Sequence, residues 1–263
     1  MIERIETMSD LAAFWNSVPP VTKTVVTASV GTSLLVRLNV LPWAQLVYLP
    51  RLVFTRGQVW RLLTPFLAWP FGFGFLINMF FLYRHLRQLE EEEFRGRRAD
   101  LLWMLVLLAG GVLLAGIPAR LLLLGEPLLM AILYVWSRKY PGVDMTFMFG
   151  LRFKSQYLVW VLTAYHFILG SPVWGDAIGI LCGHLYWFAA DVLPRTHGLH
   201  LVRAPALLQR LVPNTGVAGV QYMNGEFEAH APPQRWQQDN QQQNQQGAYR
   251  RHNWGAGQRL GEM

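Results

Sequence analysis

The chain has little of what a secreted or soluble enzyme is built from. It has one cysteine, Cys182, so no internal disulfide can form and nothing is stapled for an oxidising lumen. That thiol sits in an apolar run, where a small buried side chain is its ordinary use. Charge is scarce, at 15% of residues against 52% hydrophobic, and many of the ionic groups fall in the last third. Residues 1–20 carry both signs of charge and show no basic leader followed by an apolar core. A cleavable signal peptide is therefore not expected, and the first apolar run would act as the insertion signal. The seven histidines are scattered rather than set at ligand spacing, so no metal or cofactor is expected. No repeat of fixed period stands out. A formal charge of +7 does not point to nucleic acid, because the Arg and Lys residues collect in short loops beside apolar runs. There they set membrane topology.

What the chain does have is six apolar stretches, at about 21–36, 71–83, 101–117, 121–136, 157–169 and 177–193. Crossing ~30 Å of hydrocarbon takes about 17–25 mostly apolar residues in helical form, since backbone groups in lipid have no water to bond. The expectation is an all-α membrane protein: six spans in residues 21–194, a short segment 1–20 before them and a polar tail 195–263 after them. Pro118, Gly170-Ser171-Pro172 and Pro194 mark span ends, and several spans are short for an ordinary bilayer. A short span is accommodated by local thinning.

The connection 38–70 is too apolar for a free loop, with Leu41, Trp43, Leu46, Tyr48, Leu49 and Phe54. It is also too interrupted by Pro42, Pro50, Arg51, Arg56 and Gly57 to span. An amphipathic segment lying in the interface fits both facts. Basic residues cluster between spans two and three (Arg84, Arg87, Arg95, Arg97, Arg98) and between four and five (Arg138, Lys139, Arg152, Lys154). Those loops, and hence both termini, are expected on the cytosolic side. Residues 205–263 are rich in Gly, Pro and Asn, with a glutamine run at 237–246, which is the composition of a disordered tail.

Polar residues inside spans are costly, and Asn78, Tyr83, His85, His166, Asp176, His184 and Asp191 are the candidates for function. Each has a plain alternative as a packing residue bonded to a neighbouring helix. Gly179 and Gly183 form a small-xxx-small pair, one helical turn apart, that lets another helix approach closely.

The stretch Gly57-Gln58-Val59-Trp60-Arg61-Leu62-Leu63-Thr64-Pro65-Phe66 resembles the Trp-Arg motif in the first loop of the rhomboid superfamily. Leu89-Glu90 with Phe94, Arg97, Ala99 and Asp100 is similar to the loop between spans two and three of its derlin branch. So are Tyr134-Val135-Trp136-Ser137-Arg138, Phe147-Met148-Phe149-Gly150-Leu151, Gly183-His184-Leu185-Tyr186-Trp187-Phe188 and Asp191 with Pro194. The likeness runs from about residue 15 to 195 and departs at Val159, where derlins usually have proline. It implies a rhomboid-like bundle without rhomboid chemistry. The Gly-x-Ser region corresponds to Leu124-Gly125-Glu126-Pro127, with no serine. The position four before Asn78, where an oxyanion histidine would stand, is Gly74, while His184 remains at the general-base position. A base without its nucleophile cannot acylate. Ser137 lies at the cytosolic end of span four, beyond a His184 expected at mid-membrane. The same resemblance implies that Gly179 and Gly183 pack span six against span four; oligomerisation through that face is the second reading. Trp60 and Arg61 would clamp the first loop to the bundle, contact clients, or both.

Near the end, Trp254-Gly255-Ala256-Gly257-Gln258-Arg259-Leu260-Gly261 resembles an SHP box, which docks on the N-terminal domain of the AAA ATPase valosin-containing protein. Trp254 and Leu260 are two apolar anchors, Gly255, Gly257 and Gly261 allow close main-chain approach, and Arg259 offers a bidentate charge contact. The resemblance thus implies a derlin of the endoplasmic reticulum membrane, not an enzyme, taking part in ER-associated degradation. Misfolded clients, a membrane ubiquitin ligase, that ATPase and the lipid bilayer would be its partners, and a homo-oligomer its working form if the second reading holds. The rival readings are an adapter that only recruits the ATPase, and an active intramembrane protease.

Overall fold

The computed structural model describes residues 15–146, 150–198 and 202–212. Residues 1–14, the motif centre 147–149 and the tail from 213 onward, with its SHP-like segment at Trp254–Gly261, lie outside the described residues. The main helices are α1 (Pro20–Arg37), α2 (Trp43–Leu46), α3 (Pro50–Arg56), α4 (Thr64–Leu67), α5 (Phe73–Gln88), α6 (Arg98–Ala119), α7 (Gly125–Lys139), α8 (Leu158–Ile168) and α9 (Val173–Trp187). Two short ones follow, α10 (Leu193–His197) and α11 (Ala206–Leu211).

Helix α7 is the axis of the bundle. Every residue of its middle, from Leu129 to Ser137, is buried, so neighbours enclose it on all sides there. It packs against α4, α5, α6, α8 and α9, most extensively against α9. The surrounding helices turn large apolar side chains outward: Leu34 and Leu35 on α1, Leu76 and Phe80 on α5, Val106 and Leu114 on α6, Phe167 and Ile168 on α8, Leu181 and Leu185 on α9. So much exposed apolar surface cannot face water, and lipid is its natural solvent. Among the described residues, two helical runs, Arg98–Ala119 and Val173–His197, are long and apolar enough to cross a membrane by length and composition alone.

Several span ends differ from expectation, each for a local reason. The helix that opens at Phe73 continues, as the second span needs to for length, through Arg84, His85 and Leu86 to Gln88, then as one π-helical turn, Leu89–Glu93. Pro118 does not end α6. It sits in the last turn, and the helix stops two residues later, where Arg120 takes a left-handed conformation (φ 52°). Pro194 does not end the last span either. A π-helical turn, Phe188–Val192, precedes it, and the proline stands in the first turn of α10, where no N–H is needed. Residues 121–124, expected to open span four, are a non-helical link: the Tyr48 N–H donates to the Leu122 carbonyl and the Leu124 N–H to that of Pro65. Those two backbone bonds dock the 38–70 connection onto the bundle. The fold is not purely α. A small antiparallel hairpin, β1 (Asp144–Thr146) with β2 (Arg152–Lys154), joins α7 to α8, pairing Met145 with Phe153.

Candidate functional site

The four degenerate rhomboid positions, Gly74, Asn78, Gly125 and His184, have different surroundings. A Cβ on Gly125 would lie 2.6 Å from the Trp69 ring, so a larger residue at the head of α7 would displace an indole. Two residues on, Pro127 packs its ring against Gly175 and its carbonyl against Gly179. Gly74 opens onto space, with nothing near a Cβ built there. His184 lies nine residues further along the α7 axis than Gly125, beside Tyr134, with its Nδ1 2.7 Å from the phenol oxygen. The histidine is exposed and close to the basic end of α7, and its partner is a phenol rather than a serine. Ser137 is buried and donates to the Tyr134 carbonyl at 2.8 Å.

Gly179 and Gly183 let α9 lie directly on α7. A Cβ on Gly183 would come within 2.7 Å of the Ala131 carbonyl oxygen, and one on Gly179 would overlap the Pro127 carbonyl and sit 2.8 Å from the Met130 Cβ. That close approach accounts for the extent of the α7–α9 contact.

A polar cluster is buried where α5, α7 and α9 begin and α8 ends. The Asn78 amide donates to Glu126 at 3.4 Å, and His166 pairs with Asp176 at 2.9 Å. Asn78, His166 and Asp176 are each no more than 4% exposed, which in an apolar bundle ties four helices through polar groups. Sequence reasoning singled out those three but missed Glu126, because nothing in Leu-Gly-Glu-Pro signals a partner 48 residues away.

At the opposite end, the Glu90 carboxylate accepts the backbone N–H groups of Val21 and Thr22 at 3.0 and 2.7 Å and the Thr22 hydroxyl at 2.8 Å. It caps the start of α1 with a charge suited to a helix N-terminus. Lys139 bridges Glu93 and Asp191 at 2.9 and 2.6 Å, joining α7 to the turns after α5 and α9. Burial, with Glu92 and Glu93 nearby, pushes the Tyr140 phenol up, so it stays neutral beside this node.

Arg61 is nearly buried and ties the first connection to itself: Nε donates to Gln58 Oε1 at 2.6 Å and Nη1 to the Val47 carbonyl at 2.8 Å. The connection is joined to the bundle by the backbone pairs at Leu122 and Pro65, by the Tyr48 hydroxyl on the Leu113 carbonyl and by Ser33 with Leu67 and Trp69. Trp60 is half exposed beside exposed Val59 and Leu63, forming an apolar rim.

The sequence reading did not foresee a groove between α5, α8 and the hairpin. It holds a cavity of about 250 Å³ lined by Leu76, Ile77, Phe80, Phe81, Arg84, Met145, Thr146, Phe153 and Leu158. All but Arg84 and Thr146 are apolar, and the wall is formed by three separate elements.

The model of the Der1-like family matches residues 18–206 of the chain. Among curated proteins, human Derlin-1 is 34% identical over 263 residues, 97% of this chain and 100% of its own length. Maize Derlin-2.2 is 35% identical over 230 residues, covering 83% of this chain and 92% of its own, and rice Derlin-2 is 36% identical over 216, covering 78% and 87%.

Proposed function

The chain belongs to the Der1-like, or derlin, family, and from that premise we propose that it is a non-catalytic member acting in ER-associated degradation. In this reading it engages misfolded luminal or membrane clients and eases their passage to the cytosol. The observation that carries it is the contrast between two places. The region where the resemblance places the rhomboid serine is taken up by packing, with Gly125 against Trp69 and Pro127 against α9. The flank between α5 and α8 is open and apolar. A client helix or extended apolar segment has somewhere to lie, and among the described residues no serine or cysteine lines the groove.

The membrane role follows from the same helices. The six spans are α1, α5, α6, α7, α8 and α9, and both termini are cytosolic. Support comes from the charge: Lys139 joins the end of α7 to Glu93 after α5, so the two basic loops share one end of the bundle. Helix α8 has 11 residues. At 1.5 Å per residue it rises about 17 Å, roughly half of a ~30 Å hydrocarbon layer. Bilayer thinned around α8 would lower the barrier to a polar client segment. The cytosolic tail recruits the AAA ATPase through Trp254, Arg259 and Leu260, and a membrane ubiquitin ligase completes the assembly.

The test is client turnover in cells whose endogenous protein is replaced. Trp60→Ala, Arg61→Ala and removal of residues 250–263 should each stall clients. Normal turnover with Trp60→Ala and Arg61→Ala, but none after the truncation, would leave only an ATPase adapter. Cleavage of a labile transmembrane substrate by the purified protein, lost with His184→Ala, would instead make it a protease. Undiminished ATPase pull-down by Trp254→Ala with Leu260→Ala would reject the docking segment.

A further inference from the structure

Two motifs far apart in the chain, Tyr134–Arg138 and Gly183–Phe188, meet as one cluster at the rim of the bundle. The Tyr134 hydroxyl is bonded to His184 Nδ1 at 2.7 Å and receives Arg138 Nε at 3.0 Å. The Arg138 guanidinium lies over both flanking rings, 5.0 Å from the Tyr134 centroid and 5.5 Å from that of Trp187. It is therefore held in place by one hydrogen bond and two aromatic faces, while Arg138 and His184 are both exposed. Neither Nη group has a protein partner among the described residues. Glu93 and Asp191 bond Lys139 rather than Arg138. Leu181 and Leu185 on α9 and Phe188 in the π-helical turn after it, all exposed, lie on either side of His184. A pre-oriented cation at the basic end of an apolar helix face, with a histidine and an indole beside it, has no use for a purely apolar neighbour.

We propose that Arg138, His184 and Trp187 bind the phosphate of a phospholipid headgroup in the cytosolic leaflet, with an acyl chain lying along Leu181, Leu185 and Phe188. The guanidinium supplies the planar fork that matches phosphate oxygens, and the imidazole Nε2 supplies another donor. The indole sits at headgroup depth, where its amphipathic ring is at home. The assignment rests on the membrane reading of these helices and is independent of client handling. A lipid held here would border the bundle on the α9 side and keep the bilayer sealed against it.

The full-length protein, purified in mild detergent with mixed phosphatidylcholine and phosphatidic acid, would be examined by native mass spectrometry for retained phosphatidic acid. Arg138→Gln should weaken retention about tenfold, the worth of one charge-assisted contact. Arg138→Lys should fall between, and Arg95→Gln, an exposed arginine at the same end, should change nothing. His184→Phe keeps a ring in place and provides an independent reading if Arg138→Gln does not fold; it should also lower retention. Equal retention by wild type, Arg138→Gln and His184→Phe would overturn the site. Displacement of the lipid by excess inorganic phosphate would make the ligand a soluble anion and overturn the lipid assignment. Persistence of the lipid in phosphate, with loss on substitution, supports it.

Discussion

Single residues in this protein act mainly by what they allow or cap at a distance. Glu90 holds the start of α1 with three hydrogen bonds. Glu90→Ala should cost about 1–2 kcal/mol of stability, read as a lower melting temperature in detergent, and Glu90→Gln somewhat less because an acceptor oxygen remains. The glycines divide in the same way. Gly183→Ala would push a methyl group into the Ala131 carbonyl and should cost about 1–3 kcal/mol. Gly74→Ala, with open space around it, should be neutral or stabilise the helix by up to about 1 kcal/mol in the same melting experiment. Equal effects at the two sites would contradict the packing described. The importance of Gly179 and Gly183 was legible in the sequence, because their spacing is itself the signal. The roles of Glu90 and Glu126 were not. A carboxylate in a loop and one beside a proline look ordinary until folding brings Thr22 and Asn78 to them.

At the level of elements, the decisive feature is that the middle of α7, Leu129 to Ser137, is enclosed by neighbours while α5 and α8 each keep a side free. The apolar run around Met130 made a buried or spanning helix legible, but its apolarity could not say that it is the axis. That depends on which faces its neighbours turn toward it. The prolines show the same limit. Pro118 and Pro194 read as stops, yet a proline ends a helix only where the missing N–H and the ring meet an intact preceding turn. The π-helical turn before α10 supplies such an exception, whereas Pro118 is carried inside the last turn of α6, which ends only at Arg120. The open flank leads to a prediction of its own. A photoreactive residue replacing Leu76 or Phe80 should crosslink to a stalled client, and one replacing Met104, buried inside the bundle, should not. Filling the cavity with Ile77→Trp should slow client turnover while leaving the melting temperature near that of the native protein. Crosslinks of equal yield at all three positions would argue against the groove as the client's path.

For the whole molecule, the ionic node at Lys139 unites three segments that are remote in sequence. Lys139→Met would strand Glu93 and Asp191 as partly buried acids, and a loss of about 2–4 kcal/mol is expected in melting experiments. Orientation can be read independently. A glycosylation acceptor placed in the 38–70 connection or between α8 and α9 should receive a glycan, and one placed before residue 15 or after residue 212 should not. Modification of the tail would put it in the lumen, away from any cytosolic motor.

By itself the sequence determined the class and the family: runs of apolar residues admit helices in lipid and little else, and short motifs in a fixed order point to the derlins. Those properties are local, carried by composition and spacing. Only the tertiary structure decided which polar residues meet, that Gly125 is filled by the Trp69 ring, that the first connection docks on Leu122 and Leu124, and that Arg138 is held against Tyr134 and Trp187. Contacts of that kind join segments dozens of residues apart, and their geometry exists only once the helices have packed.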